Sequence, residues 1–278
     1  MWTARVATEA DLPALRELCV ASVGPDDYVL SFVERFVRDS VTFVAVDGPR
    51  VVGMMVYDDT PDGSVWLHAA RTHPEYRRRG VATALNRAST VLARSRHRES
   101  LRLWADAANT ASVAAARRDG FEERARFTRM RVGASRSSPG VRLEPFDPAE
   151  GWPVLTSSPL MRLGGGYVFH DFYFLPLTRA NATWLARERA LWRFGSQVIS
   201  VSEDFEDAWG KDLQIQLLAG DPATILDAAP GIARSRGADR VESFLPHDPA
   251  VLDEARRAGF DLMDWGREAV LFEKPVLP

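Results

Sequence analysis

Apolar positions recur along this chain at two spacings, every second residue and every third or fourth, and the switches between them set the predicted elements. Residues 3–8 alternate as a short strand, whereas over 9–23 Leu12, Leu15, Leu18 and Cys19 fall on one helical face. A second helix is predicted over 28–38. Residues 42–46 and 51–57 are rich in strand-forming types and flank Asp47-Gly48, which predicts a hairpin. After the turn Pro61-Asp62-Gly63, residues 65–72 form another strand that runs directly into Arg77-Arg78-Arg79. An Ala/Leu-rich helix over 80–96, a buried strand over 101–105, a helix over 109–118 stopped by Gly120, and a strand over 121–132 complete this half.

Residues 133–140, Gly-Ala-Ser-Arg-Ser-Ser-Pro-Gly, are small, polar and rich in helix breakers, and read as a linker at 135–140 between domains at 1–134 and 141–278. Beyond it the same order returns: a strand over 141–146, a helix over 178–191, strands over 197–202 and 213–218, a helix over 223–236, a strand over 241–245, a helix over 248–257 and a last strand over 268–273. Segments 109–121 and 248–260 agree at six of thirteen positions without a gap, and Ala82-Thr83-Ala84-Leu85 matches Ala223-Thr224-Ile225-Leu226. The predicted class is α/β, an α+β mixed sheet, in two tandem domains that are each a twisted sheet flanked by helices. Gly164-Gly165-Gly166 reads as a flexible turn into an aromatic strand over 167–174, since the lysine and helix of a phosphate loop are missing. Trp184 and Trp192 read as packing residues.

Composition narrows the class of function. The 278 residues are 46% hydrophobic and 26% charged, a globular mixture that excludes a disordered or fibrous chain. A lone Cys19 excludes a disulfide scaffold and a multi-cysteine zinc site, and no metal site is expected. No apolar run reaches the ~20 residues of a membrane span, and the first residues lack a signal-peptide core, so a soluble cytoplasmic protein is expected. Net charge is −3, with 20 arginines against 17 acids over 1–134 and 15 bases against 21 acids in the remainder. That excess of base is too small for a nucleic-acid surface.

The positive charge that matters is concentrated in Ala70-Arg-Thr-His-Pro-Glu-Tyr-Arg77-Arg-Arg-Gly80-Val-Ala82, a strand leading through a turn into a helix. The first amides of a helix lack intrahelical partners and sit at the positive end of its dipole, so the start of this helix suits a diphosphate. Gly80 lets oxygens approach the amides, Ala82 keeps the next turn small, and arginines add charge-assisted hydrogen bonds.

This stretch resembles the acetyl-coenzyme A motif of the GCN5-related N-acetyltransferase (GNAT) superfamily, Arg/Gln-x-x-Gly-x-Gly/Ala, here Arg77-x-x-Gly80-x-Ala82. His73-Pro74-Glu75-Tyr76 before it, and Asn109 followed by Gly120-Phe121 after it, belong to the same resemblance, which covers residues 3–132. It implies a tandem GNAT-like protein whose cofactor is acetyl-CoA. By that resemblance the backbone of Ala70, Arg71 and Thr72 pairs with the pantetheine arm, Arg77, Arg78, Arg79, Gly80, Val81 and Ala82 hold the pyrophosphate, and Asn109 and Ser112 lie on the cofactor. The implied reaction is direct transfer, in which a deprotonated amine attacks the thioester carbonyl and the coenzyme thiolate leaves. The position where the family often carries an acidic tyrosine is Ala116.

For the base, His68 is the internal candidate, since an imidazole accepts a proton near neutrality and period two places Trp66, His68 and Ala70 on one face. A hydrogen-bonded strand histidine is the competing reading. Asp26, Asp27 and Tyr28, between the first two helices, are candidates for binding an ammonium substrate, although acids there also serve as helix caps. In the second half Asp221 and Pro222 stand where the first has Gly80 and Val81, which sets a carboxylate against a diphosphate and removes an amide donor. The expected function is acetyl transfer to a small-molecule primary amine by the first domain, with a degenerate second copy and with neither nucleic acid nor membrane as partner. A non-catalytic acyl-CoA-binding or regulatory module is the alternative that Ala116 motivates.

Overall fold

The computed structural model describes residues 2–135, 140–207 and 210–276, with no side chains over 204–207. The predicted linker at 135–140 lies, over 136–139, outside the described residues. By contacts the chain divides into two units, and the division is not a single cut: unit 1 is Met1–Trp104, Ala114–Glu122 and Phe272–Pro278, and unit 2 is Ala105–Val113 and Glu123–Leu271. Among the described residues no helix is long and apolar enough to cross a membrane.

Elements along the first half are β1 (Thr3–Val6), α1 (Leu12–Ser22), α2 (Val29–Asp39), β2 (Val41–Asp47), β3 (Arg50–Asp59), β4 (Val65–Thr72), α3 (Val81–Ser95), β5 (Ser100–Asp106), α4 (Thr110–Arg118) and β6 (Glu122–Gly133). In unit 1 the strands run β1-β2-β3-β4-β5 in space, antiparallel through β4, with β4 and β5 parallel. Alternation along β3 divides the core. Met54 and Val56 meet Leu15, Leu18 and Cys19 of α1 and Val29 and Val33 of α2, whereas Met55 faces α3, where Ser89 Oγ donates to its sulfur. Gly53 shares that second face, and a Cβ there would lie 2.5 Å from Val81 Cγ1, so α3 can cross β3 this closely only over glycine.

Two departures from regular pairing shape the sheet around β4. Met54 pairs with Arg71 and Val56 with His68, leaving Ala69 and Ala70 opposite Met55 alone, a β-bulge at which Ala69 takes a left-handed φ of 51°. The β4–β5 ladder contains just Val65↔Leu101 and Trp66↔Arg102, after which the two strands are no longer paired. Arg102, wholly buried, anchors this end through Asp62, and Ser100 Oγ donates to Glu273 Oε1 at 2.7 Å.

The second half continues with β7 (Glu144–Pro145), α5 (Pro148–Ser157), α6 (Pro159–Leu163), β8 (Tyr167–His170), β9 (Tyr173–Pro176), α7 (Arg179–Arg187), β10 (Leu191–Phe194), β11 (Gln197–Asp207), β12 (Gly210–Ala219), α8 (Pro222–Ser235), β13 (Arg240–Pro246), α9 (Pro249–Arg257), β14 (Asp261–Leu262) and β15 (Glu268–Pro275). Its strands are ordered β6-β13-β12-β11-β10-β7, and α8 and α9 bury Ile225, Leu226, Ile232, Val251 and Leu252 against Ile199, Ile215, Leu217 and Val241. The parallel pair β12–β13 again covers a short stretch, from Asp212↔Arg240 to Gln214↔Glu242. Here the chain itself occupies the opening. Phe169 of β8 donates its amide to Gln216 of β12 and stacks at 4.0 Å on Phe244 of β13, while Ser158 Oγ donates to Leu218 O at 2.6 Å.

Several predicted elements are corrected. The aromatic run over 167–174 is a hairpin, turned by Asp171 and Phe172 at φ 46° and 73°. The helix expected over 178–191 stops at Arg187, where Arg189 goes left-handed and Ala190 bonds back to Leu185 O, freeing Leu191 to start β10. Helix α5 was hidden by Pro153 in its interior, and the strand expected over 141–146 pairs only at Glu144–Pro145. Trp192 packs on the unit 2 core with Arg236 at 4.4 Å over its ring, and Trp184 packs on the cluster around Leu185.

Candidate active site

The turn between β4 and α3 is built from two left-handed residues, Arg78 at φ 59° and Gly80 at φ 82°. Gly80 is the N-cap of α3 and supplies no capping side chain, the first turn holds no acid, and a Cβ built on Gly80 finds nothing within 4 Å. The first helical bond that involves the cap is Ala84 N to Gly80 O at 3.0 Å, so the amides of Val81, Ala82 and Thr83 have no acceptor within the helix. Arg77, Arg78, Arg79 and Gly80 are all exposed. Arg77 Nη2 donates to Ser22 O at 2.8 Å, at the electronegative end of α1. The Arg79 carbonyl accepts from Trp2 Nε1 at 2.6 Å, and its guanidinium lies 5.6 Å from the Tyr76 ring. His73 caps the short turn Pro74–Tyr76 through Nδ1 and meets Arg50 through Nε2, which makes it a turn residue.

The equivalent helix start in unit 2 is closed. Asp221 caps α8 by accepting from Thr224 N at 3.0 Å and from Thr224 Oγ1, and its own amide donates to Gln197 Oε1 at 2.7 Å. The carboxylate predicted to oppose a diphosphate therefore already occupies the place one would take.

Face assignments along β4 are corrected by the bulge. One inserted residue reverses the alternation, so His68 and Arg71 share the face toward α1 and α2, and Ala70 sits exposed on the bulge itself. His68 packs edge-on against Phe36 at 5.1 Å, and its Nε2 lies 2.7 Å from Asp58 Oδ2. Burial alone would raise the Asp58 carboxyl. Hydrogen bonds from His68 and Ser40, with the charges of His68 and Arg35, outweigh it and hold the group below the usual aspartate range.

Arg71 makes a two-pronged pair with Asp27, Nε to Oδ2 at 2.7 Å and Nη2 to Oδ1 at 2.6 Å, and lies 5.3 Å from the Tyr28 ring. The Asp27 side chain is fully buried and also accepts from Val29 N, so it serves Arg71 and the start of α2 rather than an ammonium ion. Asp26 and Tyr28 remain exposed in the same loop, and the Thr72 carbonyl accepts from Ser22 Oγ at 3.2 Å. In unit 2, Asn109 caps α4 by accepting from Ser112 N at 3.1 Å, and both residues are exposed. Ala116 is buried, and no acid stands at that position.

Residues 12–121 match the model of the acetyltransferase (GNAT) family. Over this segment, somewhat under half of the chain, the sequence is similar to the GNAT family. Over its whole length the chain is also similar in structure to a GCN5-related N-acetyltransferase from Sphaerobacter thermophilus, at 14% identity and a TM-score of 0.64, covering 100% of this chain and 96% of that one. A tandem GNAT protein from the clavulanic acid biosynthesis pathway aligns at 16% identity and a TM-score of 0.56, covering 100% and 99%. At such identities the likeness shows the fold alone, a tandem GNAT fold. No curated protein sequence matches the chain. The general chemistry of GNAT proteins is acyl transfer from an acyl-coenzyme A, and the open, cationic start of α3 fits the diphosphate of such a molecule.

Sequence reasoning missed Asp58. It lies opposite Trp66 and hence diagonal to His68 on the same face of the hairpin, a placement that the turn over 60–64 determines once the strands are paired.

Proposed function

We propose that unit 1 transfers an acetyl group from acetyl-CoA to a small primary amine. The observation that carries this reading is the contrast between two equivalent helix starts, α3 uncapped beside three exposed arginines and α8 closed by Asp221. The amides of Val81, Ala82 and Thr83 and the guanidinium groups of Arg78 and Arg79 would hold the pyrophosphate, with the edge of β4 from Ala70 to Thr72 beside the arm. Acetyl-CoA, when bound, supplies an activated thioester.

His68 takes the proton from the incoming ammonium, and exposed Asp26 with the Tyr28 ring attracts that cation. With alanine at 116 the departing thiolate receives no proton from that position. A thiol of pKa near 8–9 leaves without one, because a thiolate is already stable close to neutral pH. The second unit acts as a degenerate copy, its opening filled by Phe169 and Ser158. A cytoplasmic location is in keeping with the single, buried cysteine.

Thiol release from acetyl-CoA, measured against amino acids, polyamines, aminoglycosides and arylalkylamines, tests the proposal. Amine-dependent release supports it. Coenzyme binding without turnover on any acceptor favours a non-catalytic acyl-CoA-binding module instead.

A further inference from the structure

Resting on the transferase reading above, we infer that Asp58 is a positioning residue that fixes the tautomer of His68, holding a proton on Nε2 and presenting Nδ1 as the nitrogen that accepts the substrate proton. The contact is short, 2.7 Å from His68 Nε2 to Asp58 Oδ2, and both side chains are partly exposed, at 22% and 35%. An ionised carboxylate can only accept, so the ring nitrogen facing it must carry hydrogen, and the lone pair of the neutral imidazole then lies on the other nitrogen. The groups packed around the pair keep Asp58 charged. Ser40, just after α2, and Arg35 on α2 both favour the ionised carboxylate, and Phe36 closes one side of the imidazole at 5.1 Å.

The backbone directs the pair. The ladder runs regularly from Asp59↔Val65 to Val56↔His68, so Asp58 and His68 are diagonal neighbours, and the irregularity begins one residue later at Ala69. His68 is thus the last residue of regular β4 before the bulge. Its ring position is set by a paired strand below and by Asp58 and Phe36 on either side. A proton acceptor needs that kind of orientation, because a ring free to flip spends part of its time with N–H toward the substrate.

The experiment combines kinetics with nitrogen-15 spectroscopy of the histidine rings in wild type, Asp58→Asn and Asp58→Glu, with His68→Ala to assign the signals. In Asp58→Asn the side-chain amide can donate to Nε2, which moves the ring hydrogen to Nδ1. The expected result is a protonated Nε2 in wild type, a shift toward protonated Nδ1 in Asp58→Asn, a fall in kcat of roughly 10- to 100-fold, unchanged affinity for coenzyme A, and partial recovery in Asp58→Glu. In the His68→Ala background, Asp58→Asn should cost nothing further. The same tautomer in wild type and Asp58→Asn overturns the inference, as does an equal loss of kcat with and without His68. Should no amine be acetylated at all, the transferase reading falls with it as a positioning role, while the spectra still decide whether Asp58 sets the tautomer.

Discussion

Replacing Gly80 tests the α3 start with charge and backbone strain separated. At φ 82° any side chain is strained by about 1–2 kcal/mol, a cost shared equally by Gly80→Gln and Gly80→Glu. Neither meets a steric obstacle, since a Cβ at this position has no neighbour within 4 Å. The difference between the two variants therefore isolates one negative charge at the mouth of the helix. A carboxylate roughly 6 Å from a phosphate charge, at an effective dielectric of about 20–40, repels it by about 1.5–3 kcal/mol, or roughly 10- to 150-fold in affinity. Calorimetric titration with coenzyme A should show Gly80→Glu weaker than Gly80→Gln by that factor at low salt, with the gap narrowing near 1 M salt as screening shortens to about 3 Å. Equal affinities of the two variants at low salt would refute the assignment of the pyrophosphate to this turn, and wild-type affinity in a folded Gly80→Glu protein would do so more directly.

Three further outcomes follow from buried or paired groups in unit 1. Asp27→Ala leaves Arg71, itself 13% exposed at the side chain, without its partner, and should lower unfolding stability in urea by about 3–5 kcal/mol; a loss below 1 kcal/mol would show the pair to be dispensable. Asp11 is held at a pKa of about 2, first by the hydrogen bond from Arg5 and against the effect of burial, so its stabilising contribution is complete above the ordinary aspartate value and disappears as pH falls toward 2. With Arg5 45% exposed, that contribution is about 1–2 kcal/mol, and the stability gap between wild type and Asp11→Asn should close between pH 4 and 2. Burial, with the nearby Asp27 charge, pushes the Cys19 thiol up to about 11, so it should resist a disulfide reagent at pH 8 in the folded protein and react on unfolding. Fast labelling of native protein would contradict that burial.

Much of this protein follows from local pattern. Period two along residues 65–72, the small residues of α3 and the breaker-rich turns locate the elements of unit 1 to within a residue or two, because each depends on neighbours in the chain. The open, uncapped start of α3 could be read from Arg77 to Ala82 for the same reason, since one glycine and the absence of a capping side chain suffice. Even the closed start of α8 was legible in Asp221 and Pro222.

Other features were decided only by tertiary structure. Nothing in Ala69 announces a bulge, yet that one extra residue turns Arg71 onto the face of His68 and sends it to Asp27, 44 residues away. Asp58 becomes a partner of His68 through strand register, and Phe169 fills the β12–β13 opening through packing between residues distant in sequence. Helix starts and strand rhythm are set by dihedral preferences and nearest neighbours, so the chain carries them residue by residue. Which carboxylate meets which cation depends on register, crossing and the exclusion of water, and those exist only once the sheet has closed.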